Sequence, residues 1–315
     1  DCKLLLGSQY ALLRPEFAKW RVCSLERRNN PKFKRLLVNM GGVDVDNITE
    51  NVLDELKMCN LPNDIHITIV MGGSAPHLES VEFKASTLPY KTEVKVDVGN
   101  MAEIMSNSDI AIGAAGSTTW ERCCLGLPTI QIVIAKNQLF SAEILDHYNI
   151  VRLVKNIQEI PCLLEVSTEW MGNVGNAALE ICDGMGSCKV FNKMTDRKIT
   201  LEKFGEVELC NYINLNENDK LQALNMRNHL QVKKWMYNQV SISKEDHFGF
   251  IKNLDNDMEG RYFLVKQKNN IIGSINFSKI NFENSVELGI YTTPFLQIKG
   301  AGRLLESAAS QYAFI

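Results

Sequence analysis

Between Phe33 and Leu153 short β-branched runs alternate with amphipathic stretches of helix length, and no other feature of the chain constrains its fold as tightly. Strand, crossover helix and parallel strand repeated in series give one sheet covered by helices on both faces. The pattern predicts strands over residues 35–39, 66–71, 93–98, 110–113, 129–134 and 150–153, with helices over 47–58, 75–85, 101–106, 118–125 and 138–147. After Trp170 the grammar changes. "GNVGN" reads as a turn, "AALEICDGMGSCKVFNKM" as helical, and the charged "TDRKITLEKFGE" as a linker, placed at residues 196–206. Beyond it the order is a strand (207–214), two helices (219–228, 244–254), three consecutive strands (261–267, 271–279, 286–291) and a helix from Gly300. The expected architecture is an α/β, Rossmann-like domain over residues 1–195 followed by a partial α+β domain over 207–315. A chain of 315 residues suits two units at about 100–200 residues each.

Composition narrows the function. Lys+Arg 34 against Asp+Glu 37, a net charge of -3, leaves no positive surplus to neutralise a phosphate backbone, so no nucleic acid is expected. Nine cysteines, odd in number and without C-x-x-C or zinc spacing, suit a reducing cytoplasm and imply no metal; Cys123-Cys124, in an apolar stretch, read as buried thiols. No apolar run approaches the roughly 18–20 residues of a membrane span, and residues 1–15 lack signal-peptide grammar, so no membrane partner is expected. The abrupt opening without Met reads as part of a longer protein.

Two loops of the first half carry chemistry. "RLLVN" runs into Met40-Gly41-Gly42-Val43-Asp44, and "IAIG" runs into Ala114-Ala115-Gly116-Ser117-Thr118-Thr119-Trp120-Glu121. At the carboxyl ends of strands, glycines let backbone amides approach a ligand and helix N-termini present positive partial charge. Ser117 and Thr118 would cap the helix and add hydroxyl donors, and Glu121, one turn on, would accept hydrogen bonds from two ribose hydroxyls. A nucleoside diphosphate fits. Plainer readings stand beside this one: Gly41-Gly42 as an ordinary turn, Ser117 and Thr118 as a simple cap, Glu121 as a first-turn charge, and Gly72-Gly73 as another turn.

Taken together, "LLGSQYALLRPEF", "NMGGVDVDN", "GAAGSTTWERCCLGLP", "KNQ" and "DGMGSCKV" resemble the bacterial UDP-2,4-diacetamido-2,4,6-trideoxy-β-L-altropyranose hydrolases of pseudaminic acid biosynthesis, a family similar in architecture to two-domain GT-B glycosyltransferases. The resemblance covers about residues 4–190. It implies that Gly41, Gly42, Gly116, Ser117 and Thr118 hold the UDP pyrophosphate, that Glu121 holds the ribose, and that Asn137 and Gln138 of Lys136-Asn137-Gln138 face the sugar, Asn137 as a residue of the catalytic site. On sequence alone Asn137 reads equally as a helix N-cap. The implied reaction is hydrolysis at the anomeric carbon, releasing UDP. The family's histidine base stands in a glycine-rich loop of the other domain, and none of the five histidines here matches it, so the main base is expected to be absent and the chain to bind UDP but hydrolyse poorly.

In the second half, Gln297-Ile298-Lys299-Gly300-Ala301-Gly302-Arg303 places Gln-x-x-Gly-x-Gly between a strand and a helix, a row of amides at a positive helix terminus with Lys299 and Arg303 adding charge. In its strand and helix context this resembles the GNAT acetyltransferases, whose loop binds the diphosphate of acetyl-CoA. "HLQVKKWMYNQVSISKEDHFGFI" is similar to the acceptor side of ribosomal-protein-type GNATs and of the pseudaminic acid pathway N-acetyltransferase. Trp235 reads as core or pocket lining, and Glu287 as either a general base or a solvated strand charge. The family's usual acid, a tyrosine on a later helix, is expected to lie outside this sequence, leaving a weakened acetyltransferase. The leading expectation is a UDP-sugar hydrolase joined to an N-acetyltransferase using acetyl-CoA and acting on UDP-amino sugars. The alternatives are a GT-B glycosyltransferase joined to a GNAT, and a non-catalytic nucleotide-sugar-binding module.

Overall fold

A computed structural model describes residues 4–280 and 285–314, and the chain divides into two compact units, Asp1–Ser187 and Cys188–Ile315. Cys2 and the outermost residues of the expected domains lie outside the described residues. Unit 1 runs α1 (Pro15–Arg28), β1 (Arg35–Asn39), α2 (Ile48–Met58), β2 (His66–Met71), α3 (Leu78–Ser86), β3 (Lys91–Val96), α4 (Met101–Asn107), β4 (Ile110–Ala114), α5 (Ser117–Cys124), β5 (Thr129–Ile132), α6 (Leu139–His147), β6 (Arg152–Val154), α7 (Ile160–Leu163) and α8 (Thr168–Leu179), and α9 (Gly186–Lys193) carries the unit boundary. The six strands form one parallel sheet in the order β3-β2-β1-β4-β5-β6, the doubly wound arrangement expected. Because both faces are covered, β1 reads as a continuous apolar run, yet its side chains still alternate: Leu36 and Val38 join the core under α2 and α3, and Leu37 joins the one under α1, α4 and α5.

A carboxylate pins the N-terminal edge of this sheet. Asp109 accepts from the backbone amides of Lys34 and Arg35, both at 2.9 Å, and pairs with Arg27 at 2.6 Å, fastening the start of β4 to the start of β1 and to α1. Its side chain is 4% exposed, so removal orphans three donors. Asp109→Ala is expected to destabilise unit 1 by about 3 kcal/mol in urea unfolding, with the slope unchanged; a loss below about 1 kcal/mol would show that water replaces the carboxylate.

One expectation fails here for reasons of packing. "GNVGN" is no turn but the body of α8, which Ser167 caps by accepting from the Trp170 amide at 3.0 Å. Its glycine serves close approach: a Cβ on Gly175 would lie 3.1 Å from the carbonyl oxygen of Gly126, after α5. Cys123 and Cys124 are buried, as expected.

Unit 2 runs β7 (Arg197–Leu201), β8 (Gly205–Asn211), α10 (Glu217–Asn228), α11 (Leu230–Lys233), α12 (Lys244–Asn253), β9 (Arg261–Gln267), β10 (Asn270–Ser278), β11 (Glu287–Thr292) and α13 (Ala301–Ala313). The strands form an antiparallel sheet in the order β11-β10-β9-β8-β7. The stretch 196–206, expected as a linker, is therefore largely an edge strand and its turn. Ile199 and Leu201 reach the core while Arg197, Lys198 and Thr200 stay in water, and the charge that mimics a linker is what an open sheet edge carries. One face of the sheet packs on Leu304, Leu305, Ala308 and Ala309 of α13, and the other on Ala223 and Met226 of α10 and Ile251 of α12.

Candidate functional site

In unit 1 the sheet order reverses between β1 and β4, which pair side by side with Asn39 opposite Gly113. A doubly wound sheet leaves a crevice at such a switch point, and the two loops that flank it are those carrying Gly41-Gly42 and Gly116-Ser117-Thr118. The two are not alike. The loop after β1 closes its own helix: Asp44 accepts from the amides of Ile48 at 2.9 Å and Thr49 at 2.8 Å, so the N-terminus of α2 is already occupied and the expectation of an open helix end there is corrected. Gly41 has φ 95, and neither Gly41 nor Gly42 would bring a Cβ within 4 Å of another group. Gly72-Gly73 is structural: the Gly72 amide donates to the Gly42 carbonyl at 3.0 Å, and a Cβ on Gly72 would sit 2.2 Å from that oxygen.

The loop after β4 is open. Gly116, φ 125, is the N-cap of α5, and no side chain caps this helix. Ser117 is exposed, but the Thr118 hydroxyl turns inward, 3.5 Å from the Ala114 carbonyl and accepting from Arg122 Nη1 at 3.2 Å, so the expected capping by Ser117 and Thr118 does not form. Glu121, half-buried, makes no side-chain hydrogen bond among the described residues; burial pushes its carboxyl above the usual range against the pull of Arg14 and Arg122. Lys136-Asn137-Gln138 forms a short 3-10 turn after β5. Gln138 anchors it by accepting from the Ile134 amide at 3.1 Å, and its Nε2 lies 3.4 Å from where a Gly116 Cβ would stand, so Gln138 borders the open loop while Asn137 is exposed and caps nothing.

Sequence reasoning passed over Arg122, the largest fully buried side chain among the described residues, 1% exposed beneath the Gly116 loop. The signal in "TTWERCCLGLP" was that Arg122 is the only charged residue on the helix face that also bears Thr119 and Cys123. Of the histidines of unit 1, His77 has its Nε2 3.1 Å from the carbonyl of Val45, in the loop after β1, His66 lies 3.6 Å from Glu93, and His147 ends α6.

In unit 2, α13 also opens on a glycine of positive φ, Gly300 at 83°, with no side-chain cap. Ile298 anchors the loop, packing into the core while its carbonyl accepts from the Ala301 amide at 3.2 Å; Gln297, Lys299, Gly302 and Arg303 are exposed, and Ala301 is buried. A cavity of about 980 Å³ reaches this helix end at Gly302 and Leu305, and is lined by Tyr212, Tyr262 and Tyr291 with Arg227 and Trp235. Trp235 is 81% exposed, so it lines the cavity and is no part of the core. Glu287, which also lines this cavity, pairs with Lys279 at 2.6 Å. Three hydroxyls meet in the wall: Tyr212 Oη is 2.9 Å from Ser274 Oγ and 3.2 Å from Tyr291 Oη, and burial pushes both phenols above their usual range. His229 caps α11, and His247 is buried, its Nε2 3.1 Å from the Lys220 carbonyl and its pKa pulled down by burial. Among the described residues no group of three His, Cys, Asp or Glu side chains is placed to hold a metal, and no helix is long and apolar enough to cross a membrane.

Residues 35–159 match the glycosyltransferase family 28 C-terminal domain, and residues 227–314 match the acetyltransferase (GNAT) family. The uncharacterized protein MJ1062 of Methanocaldococcus jannaschii is 27% identical over 294 residues, 92% of this chain and 57% of that protein. Acetyltransferase PseH of Campylobacter jejuni is 36% identical over 108 residues, 34% of this chain and 66% of that protein. The spore coat polysaccharide biosynthesis protein SpsG of Bacillus subtilis is 26% identical over 143 residues, 45% of this chain and 41% of that protein. The chain thus spans less than two thirds of each of these relatives, and one of them matches it across both units. The chain joins a GT-B-like domain of the glycosyltransferase 28 C-terminal type to a GNAT domain.

Proposed function

We propose that unit 1 binds the UDP end of a UDP-linked amino sugar and that unit 2 transfers an acetyl group from acetyl-CoA to the amine of such a sugar, the two acting on related substrates of nonulosonic acid biosynthesis. The observation that carries the reading is shared by the halves: α5 and α13 each follow a strand, open on a glycine of positive φ and lack a side-chain cap, so each leaves amides for a diphosphate. In unit 1 the Gly41-Gly42 and Gly116–Thr118 loops take the pyrophosphate, Glu121 the ribose, and Asn137 and Gln138 face the sugar. Water attacks the anomeric carbon, the bond to the phosphate oxygen breaks, and UDP leaves with its charge spread over the loop amides. The base that takes the proton from water is not among the residues of these loops.

In unit 2 the Gln297–Arg303 loop grips the coenzyme A diphosphate, the amine nitrogen attacks the thioester carbonyl, and the thiol departs. The similarity to acetyltransferase PseH supports this half more closely than anything supports hydrolysis in the other. The glycosyltransferase 28 match favours a second reading of unit 1, transfer of the sugar to an acceptor, with the same nucleotide loops.

Calorimetry tests the common part: UDP and acetyl-CoA are each expected to bind the chain once, and neither to displace the other. A chain that binds neither, or one at which the two compete, would overturn the assignment. Product analysis with a UDP-amino sugar and acetyl-CoA then separates the readings, since hydrolysis gives free sugar without an acceptor and transfer does not.

A further inference from the structure

We propose that Arg122 is the built-in counter-charge of the unit 1 loop, a positioning residue that holds the Gly116–Thr118 segment for a nucleoside diphosphate and is neutralised only when the diphosphate arrives. The inference rests on the reading of unit 1 as a nucleotide site. The guanidinium is enclosed, yet every partner it has is a neutral oxygen: Nη2 donates to the Ala114 carbonyl at 2.7 Å and to Thr119 Oγ1 at 3.3 Å, Nη1 donates to Thr118 Oγ1 at 3.2 Å, and Nε has no partner. No carboxylate forms an ion pair with it among the described residues; of the other well-buried charges, Asp109 pairs with Arg27 and Asp219 with Lys266, while Asp44 is met by the backbone amides of Ile48 and Thr49. A buried charge without a counter-ion is costly.

Its position raises that cost. Arg122 belongs to the last turn of α5, but its side chain folds back to Thr118 and Ala114, the helix N-terminus, where the macrodipole already favours an anion and opposes a cation. Burial pulls the guanidinium down to about 10, the same penalty read as proton affinity. The backbone is nevertheless shaped to receive it: a Cβ on Gly113 would stand 2.5 Å from Nη1, so a glycine just before the last residue of β4 makes room. An anion seated on the uncapped amides of α5 removes both penalties at once. The hydrogen bonds to Ala114 and Thr118 meanwhile tie the end of β4 to the first turn of the helix, fixing the loop that the ligand meets.

The test compares UDP with uridine, which lacks the diphosphate, by competition binding to the whole chain. Arg122→Met is expected to lower UDP affinity 30-fold or more, to leave uridine affinity within twofold, and to leave the melting temperature of the free protein unchanged or raised. UDP affinity held within threefold, or uridine affinity falling in step with it, would overturn the role. If circular dichroism shows that the Met variant does not fold, Arg122→Lys takes its place: retention of at least a third of the wild-type preference for UDP over uridine supports the charge, and complete loss of the preference in a folded Lys variant overturns it. A wild-type chain that binds uridine as tightly as UDP, or binds neither, defeats the nucleotide reading itself, a result separate from any behaviour of the variants.

Discussion

Gly42→Leu is expected to weaken UDP binding to unit 1 a hundredfold or more while changing the stability of the free protein by no more than about 0.5 kcal/mol. Gly42 is exposed, has no positive φ and would bring a Cβ within 4 Å of nothing, so the ligand-free fold gives no reason for a glycine at this position. Its neighbours after the strands differ. Gly116 is held at φ 125, and Gly72 cannot take a Cβ without striking the Gly42 carbonyl, so substitutions at either confound folding with binding. Gly42 alone separates the phosphate cradle from the ordinary turn that a glycine pair suggests. Close approach of a pyrophosphate would demand the missing side chain, and a leucine would fill the space beside the β1–β4 switch point. The measurement is a UDP titration alongside a urea melt, with acetyl-CoA binding to unit 2 as internal control. A folded Leu variant that binds UDP within threefold of the parent would leave Gly41-Gly42 a plain turn.

What the sequence displayed and what it hid follow from which forces leave periodic traces. The strands of unit 1 are buried on both faces, so runs such as "RLLVN" and "HITIVM" marked β1 and β2 to the residue. α1 escaped notice because it docks mainly by polar contacts: only Phe17 and Ser24 are buried along it. Arg21 donates to the Cys182 carbonyl at 2.9 Å and the Leu179 carbonyl at 3.1 Å, Arg28 to the Ser108 carbonyl at 2.7 Å, and Ser24 to the Leu125 carbonyl at 2.7 Å. A helix tied down by arginines reaching carbonyls at the ends of other elements shows no apolar stripe, and Pro15 at its first position was the one legible start signal. α8 was hidden for the opposite reason, since Gly175 packs against Gly126 where a pattern reader sees a break.

At the candidate sites the same distinction holds. The loops were legible because glycines at strand ends are rare enough to notice and their positions follow from the strand order. The partners of the loops were not, because they are set by tertiary contact: Asp44 closes α2 through two backbone amides, Thr118 turns inward, and Arg122 reaches back along its own helix to the end of β4. The cavity of unit 2 is hidden likewise. Tyr212 and Tyr291 are 79 residues apart in the chain, and only the sheet brings their hydroxyls together.

In unit 2 the largest effect is expected at Gly302. This residue stands in the first turn of α13 with helical neighbours, lines the cavity, and would bring a Cβ within 4 Å of nothing. Glycine in a helix costs up to about 1 kcal/mol relative to alanine, less near an end, so Gly302→Ala is expected to stabilise the free protein by about 0.5 kcal/mol. A position that gives up stability without steric need is one where something must come close, and at an uncapped helix N-terminus facing a cavity that something is a diphosphate or the chain attached to it. Gly302→Ala is accordingly expected to weaken acetyl-CoA about tenfold, and Gly302→Leu by a hundredfold or more, with UDP binding to unit 1 unchanged in both. Thermal melts and acetyl-CoA titrations on the same samples read the two effects together. Opposite movement, melting temperature up and affinity down, identifies the glycine as a ligand-imposed choice. Affinity that stays within twofold of the parent in the Leu variant would place acetyl-CoA elsewhere than the end of α13.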